Sequence, residues 1–166
     1  MTLAQLSAML TAASQPLRAD FADERFLQLY LYVHCVNGLK AGVYRYWPEQ
    51  NQLEGIKLGD QRVAAAGLSL GQDLAGNACF ALSIVGDLDR ATSVFGDRAY
   101  RYVFFEAGAT GHRLYLAAEA LGLGATGIGA FYDDEVHQYL GLTPGSGQVV
   151  YHFAIGHPIP DSRLAA

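Results

Sequence analysis

An α+β fold is predicted by three stretches of this 166-residue chain. Leu27 to Val36 alternates with period two, with Leu27, Leu29, Leu31, Val33 and Cys35 on one side and Gln28, Tyr30, Tyr32 and His34 on the other. That pattern reads as a strand with one face in a core. Cys79 to Val85 is continuously apolar, as a strand buried on both faces is. Ala99 to Leu123 is long and apolar over most of a helical circumference, which predicts a central helix buried on several sides.

The remaining elements follow in chain order. Leu3 to Ala13 places apolar residues at 3, 6, 9, 10 and 13, a helical spacing. Ser14 to Glu24 is polar and irregular. After the first strand, Asn37-Gly38 begins a turn, and Gly42 to Trp47 forms the partner strand, stopped by Pro48. Leu53 to Leu58 makes a third short strand. Ala64 to Leu74 reads as a helix despite Gly67 and Gly71, and Leu88 to Val94 as a short one. Gly122 and Gly124 end the long helix as C-cap glycines. Ala125 to Ala130 is strand-like, Asp133 and Asp134 cap a helix running to Leu140, and Gln148 to Ile155 is a last strand. The sheet has about five strands, and residues 1–166 form one domain with no internal repeat.

Composition narrows the function. The net charge is −5 and no run of basic residues is present, which argues against a nucleic-acid partner. No apolar segment approaches the roughly 20 residues of a membrane span. The start, MTLAQLSAML, carries no basic residue before its apolar part and does not read as a signal peptide, so a cytoplasmic protein is expected. Cys35 and Cys79 fall in apolar strand-like runs and read as two buried thiols of a reducing compartment. The five histidines have no metal-ligand spacing, so no metal site is expected. His34 and His152 read as structural groups within strands, whereas His112 lies on the long helix and is a candidate for a pocket. Asp133, Asp134 and Glu135 complement a helix dipole.

Four segments carry a resemblance: GVYRYWPEQNQLEGI, GDRAYRYVFFEAG, LYLAAEALGLGATGIGAFYDDEVHQYLGL and VVYHFAIGHP. Together they resemble the nitroreductase-like flavoproteins, in the SagB-type dehydrogenase branch, over about Leu6 to Arg163. The resemblance implies FMN as cofactor and a mixed, mainly antiparallel sheet around the long helix. It also implies a homodimer, or pairing with a second nitroreductase-like domain, with flavin at the interface. Some members of the branch oxidise thiazolines and oxazolines in peptides, so a small-molecule or peptide substrate is implied.

On the same ground Ala125, Thr126, Gly127, Ile128 and Gly129 are expected along the flavin ring, where bare peptide planes let a flat ring approach. Arg163 meets the FMN phosphate or is a solvated tail residue. The azoline-oxidising members use a Lys-Tyr pair near the start of the long helix. Its counterparts here are Arg101 and Tyr102, where Arg101 can lower a tyrosine pKa but not itself lose a proton. The bland reading has Tyr100 and Tyr102 packing and Arg101 in solvent.

Three departures from the family pattern stand out. The Arg-Arg-Ser-x-Arg segment that grips the phosphate is absent. SQPLRADFADERFLQ replaces the usual Pro-Ser-Ala-Gly-x-x-Tyr-Pro stretch. His112 and Arg113 stand where Gln-Asn usually follows Glu-Ala-Gly. These losses resemble the C-terminal half of a tandem protein, and they admit an alternative to an FMN-dependent oxidoreductase: a non-catalytic half that completes a partner's pocket.

Overall fold

A computed structural model describes residues 1–20, 24–143 and 145–160. Six strands form one sheet in the order β3-β2-β1-β4-β6-β5, and all five ladders between neighbours are antiparallel. The strands are β1 (Leu27–Val33), β2 (Gly42–Trp47), β3 (Gln52–Leu58), β4 (Phe80–Gly86), β5 (Gly124–Ile128) and β6 (Gln148–Gly156). Among the described residues, helices α1 (Leu3–Ala13), α4 (Leu88–Phe95) and α5 (Ala99–Ala120) pack on one face of the sheet. Helices α2 (Arg62–Leu68), α3 (Asp73–Asn77) and α6 (Asp133–Leu140) contribute to the apolar cluster on the other.

The local chemistry explains most boundaries. Thr2 and Gln5 form a reciprocal capping box at the start of α1, with Gln5 N–H donating to Thr2 Oγ1 at 3.2 Å and Thr2 N–H to Gln5 Oε1 at 2.9 Å. Asp87 caps α4 by accepting from Arg90 N–H at 3.0 Å. β4 is buried along its whole length, as its unbroken apolar run requires.

The structure corrects several expectations. The helix expected over Ala64–Leu74 is two helices, because the chain turns at Ser69–Gln72 with Leu70 and Gly71 in left-handed conformations (φ 57° and 71°). β1 is covered on both sides: Tyr30 and Tyr32 are 4% and 2% exposed, since α2 and α6 cover the face that looked polar. Cys35 lies beyond the end of β1 and is exposed, whereas Cys79 is buried. Tyr132, not an aspartate, is the N-cap of α6; Asp133 and Asp134 sit in its first turn, where their charge still opposes the helix dipole favourably. Gly122 turns the chain after α5 at φ 68°, but Gly124 opens β5.

The largest correction concerns α5, 22 residues long. It buries a single stripe, Ala99, Val103, Ala107, Thr110, Gly111, Leu114 and Ala118, against the sheet and α1. Tyr100, Phe104, Phe105, Tyr115 and Leu116 are exposed in the single chain, from 39% at Phe104 to 66% at Phe105. Its apolar excess is therefore surface rather than all-round burial.

Candidate functional site

The chemistry gathers where α5 crosses β5 and β6. Gly111 lets the helix sit close, since a Cβ there would lie 3.0 Å from the rings of both Tyr151 and Phe153. Beside that crossing opens a cleft of about 480 Å³, a size that suits a small organic ligand. Ala107, Gly108 and Gly111 of α5, with Gly129 just past β5, give it small-residue walls. Phe104 and Val150 add apolar surface, and His112, Tyr115 and Tyr151 supply the polar groups.

Two tyrosines converge on Gly127. The Tyr115 hydroxyl accepts the Gly127 N–H at 2.8 Å. The Tyr151 hydroxyl occupies the place a Gly127 side chain would take, only 1.9 Å from where its Cβ would stand. Phe153 braces both rings edge-on, at centroid distances of 4.9 and 5.6 Å. Burial, and then the neighbouring Tyr115, pushes the Tyr151 hydroxyl above the usual phenol range. At neutral pH it therefore remains a proton donor.

The segment expected along a flavin is split by the strand alternation. Ala125 and Thr126 pair with Ile155 and Ala154 in the sheet, and Thr126 is exposed. The Gly127 amide is taken by Tyr115, Ile128 is buried in the opposite core, and Gly129 lines the cleft. Arg101 and Tyr102 lie in the first turn of α5 and do not line this cleft. Arg101 is exposed, and Tyr102 packs edge-on against Phe95 at 5.0 Å. Arg163 lies outside the described residues.

The family departures on α5 resolve into two roles. His112 lines the cleft, while Arg113 turns away and donates to the carbonyl oxygens of Gln15 and, at 3.0 Å, Pro16. Glu106 holds the entry to β1 by accepting the Phe26 N–H at 3.0 Å. Burial raises its carboxyl pKa, against the opposing pull of that N–H and of Arg25, Arg90 and Arg113. Tyr115, Tyr151, Phe104 and Val150 were not singled out by the sequence. Tyr115 stands three residues after His112, so a helical wheel places the two on one face. Tyr151 had no such signal, because its role depends on Gly127 lying across the β5–β6 ladder.

A flat ring fits these residues. A Cβ built on Gly108 or on Gly129 would meet nothing within 4 Å, so both present open backbone to the cleft. A phosphate finds no lysine or arginine among the lining residues. Among the described residues no group of His, Cys, Asp or Glu comes together to hold a metal ion, and no helix is long and apolar enough to cross a membrane.

An antiparallel sheet with a long helix laid across one face, and a small-residue cleft between them, defines a class of α+β protein whose solved members include nitroreductases. The chain belongs to the nitroreductase family, which matches residues 4–157. Members of that family typically bind FMN. MJ1384 of Methanocaldococcus jannaschii, a nitroreductase by designation, is 38% identical over 116 residues, which are 69% of this chain and 58% of that protein. The trifolitoxin operon protein TfxC of Rhizobium leguminosarum bv. trifolii is 30% identical over 103 residues, 61% of this chain and 29% of its own. A crystal structure from Anabaena variabilis, again a nitroreductase by designation, superposes with a TM-score of 0.88 at 35% identity, covering 96% of this chain and 34% of that one. The McbBCD microcin synthetase complex of E. coli, with truncated pro-MccB17 bound, shares the fold at a TM-score of 0.78 and 20% identity. The chain thus spans only part of these relatives, about a third of the Anabaena protein.

Proposed function

We propose that residues 1–166 form one nitroreductase-like domain of an FMN-dependent oxidoreductase of the SagB type, whose flavin site is completed by a second such domain. The carrying observation is the cleft between α5 and β5–β6, with open backbone at Gly108 and Gly129 inside a family match that covers most of the chain. Bound there, FMN would supply the hydride carrier, exchanging two electrons with an organic substrate or NAD(P)H.

The chain's own residues provide the surroundings. Ala107, Gly108, Gly111 and Gly129 leave space for a flat ring, and Phe104 and Val150 exclude water from its edge. Tyr151 is the proton donor of the cleft, and His112 adds a second polar side chain to its lining. Ala125, Thr126, Gly127 and Ile128 support the wall as a paired strand. The phosphate grip belongs to Arg163 or to the second domain. Arg101 and Tyr102 enter this reading through the assembly: outside this cleft, they act at a site that another domain completes. The exposed apolar side of α5 supports such pairing, as a homodimer or within a longer chain. TfxC belongs to a trifolitoxin operon and McbBCD holds a truncated precursor, which together favour a peptide over a small molecule as substrate.

The lack of a lysine or arginine among the described cleft residues favours one second reading, a non-catalytic half that completes a partner's pocket. A visible spectrum decides between them. The purified chain is mixed with FMN and passed through gel filtration with light scattering. A flavin band that co-elutes with a dimer supports the oxidoreductase. A colourless protein supports the pairing half.

A further inference from the structure

Strand β5 ends at Ile128, and the next four residues, the rim segment Gly129–Tyr132, start at the cleft, which Gly129 lines, and run without strand pairing toward the far side of the sheet. They are held from the far side of the sheet. Tyr132 N–H donates to Leu68 O at 3.0 Å. Gln72 Nε2 donates to Ala130 O at 3.3 Å and to Ser69 O at 2.8 Å. The Phe131 ring stacks on the His152 imidazole, with centroids 4.6 Å apart and planes 20° from parallel. The rim therefore rests on the Ser69–Gln72 turn and on His152.

His152 is itself fixed from both ring nitrogens. Nδ1 lies 3.1 Å from Ser69 Oγ and Nε2 lies 2.9 Å from Ser83 Oγ. Ser83 Oγ is in turn 3.1 Å from the Tyr32 hydroxyl. None of these four residues is more than 3% exposed. A neutral imidazole offers one donor and one acceptor, so it matches one hydroxyl on each side and holds a single ring orientation. The Ser69 end of this chain lies in the turn that carries Leu70 at φ 57°, a conformation that a branched residue adopts only where its surroundings hold it.

We infer that His152 is a positioning residue for the cleft: bridged between Ser69 and Ser83, it sets the rim Gly129–Tyr132 through Phe131 and the Ser69–Gln72 turn. It touches nothing in the cleft and acts from the opposite face of the sheet. The link to flavin affinity rests on the function proposed above; the link to the rim does not.

Hydrogen exchange of the chain tests this, with FMN titration as a separate arm. Ser69→Ala removes one hydroxyl and leaves the imidazole stacked, and His152→Gln removes the ring. In both, the Tyr132 amide, which donates to Leu68 O, should exchange about ten-fold faster, the effect of one lost buried hydrogen bond, while β1 and β4 amides keep their protection. FMN affinity should fall by about the same factor. Unchanged exchange at the Tyr132 amide in a folded Ser69→Ala protein overturns the inference. Protection lost equally across β1, β4 and the rim overturns it too, since His152 would then only stabilise the fold. If the unaltered chain binds no FMN, the homodimer form of the flavin reading fails while the exchange result still stands.

Discussion

The two faces of the sheet handle polar groups in opposite ways. On the α2–α3–α6 side, His152, Ser69, Ser83 and Tyr32 are sealed from water and satisfy one another. On the α5 side, His112, Tyr115 and Tyr151 border an open cleft, and a band of aromatic and aliphatic side chains stays uncovered in the single chain. A closed polar network costs free energy when any member is lost, so it specifies geometry. An open polar rim leaves its groups available to a ligand. The difference fits the first face to support and, on the function proposed above, the second to chemistry.

Phe153 joins the two roles and should give the largest single effect. It is fully buried on the α5 side and braces both cleft tyrosines. Phe153→Ala should cost about 3–5 kcal/mol by urea unfolding, the range for a large core side chain lost to a cavity. Proton spectra of the surviving folded fraction should show Tyr115 and Tyr151 displaced together. Loss of stability with both tyrosine signals unmoved would separate packing from the cleft.

The sealed face should announce itself through pH. Burial lowers the His152 pKa from 6.5 to about 4. The unfolded chain therefore takes up a proton below pH 6.5 that the folded chain refuses until about pH 4. Stability should fall across that window as the pH is lowered, by about 3 kcal/mol in all, and then level off. Urea midpoints at pH 7, 5 and 4, compared with those of His152→Phe, measure it. The variant should lose this part of the slope whatever its own midpoint.

The same contrast explains what the sequence revealed. α1 and β2 were legible to the residue because each is marked locally: apolar spacing from Leu3 to Ala13 in one, Pro48 just past the end of the other. Burial on both sides of β4 followed from its unbroken apolar run. The second buried face of β1 was hidden because the Tyr32 hydroxyl finds its partner at Ser83, far along the chain. The break at Ser69–Gln72 was hidden because Leu70 carries no turn signal and is held left-handed by its tertiary setting. Apolar content alone did not separate the buried stripe of α5 from its exposed side, since both are rich in such residues. At the candidate site, the glycines of Gly122–Gly129 pointed to the segment beside the cleft, which Gly129 lines, and His112 was flagged from the helix. Tyr151, which completes it, depends on strand register.

On the open face, Tyr115→Phe should have a smaller effect. It deletes the acceptor of the Gly127 N–H and keeps the ring against Phe153. A loss of about 1 kcal/mol is expected, confined to that bond, with Gly127 exchanging about ten-fold faster. If FMN affinity rises while stability falls, the Tyr115 hydroxyl competes with the ring for the Gly127 amide.

Leu116→Glu should change the single chain least and the assembly most. Leu116 is 59% exposed on the uncovered side of α5, so a charge there costs the monomer no more than about 0.5 kcal/mol. A carboxylate placed within a paired apolar interface loses its hydration without a partner. If two copies pair through this face, light scattering should show the dimer lost in the variant while its circular dichroism and unfolding midpoint stay those of the unaltered chain. An unaltered chain that is already monomeric, with the variant indistinguishable from it, would mean that this face is covered by a different domain. In that case the open side of the sheet is one half of a site whose other half lies in another sequence.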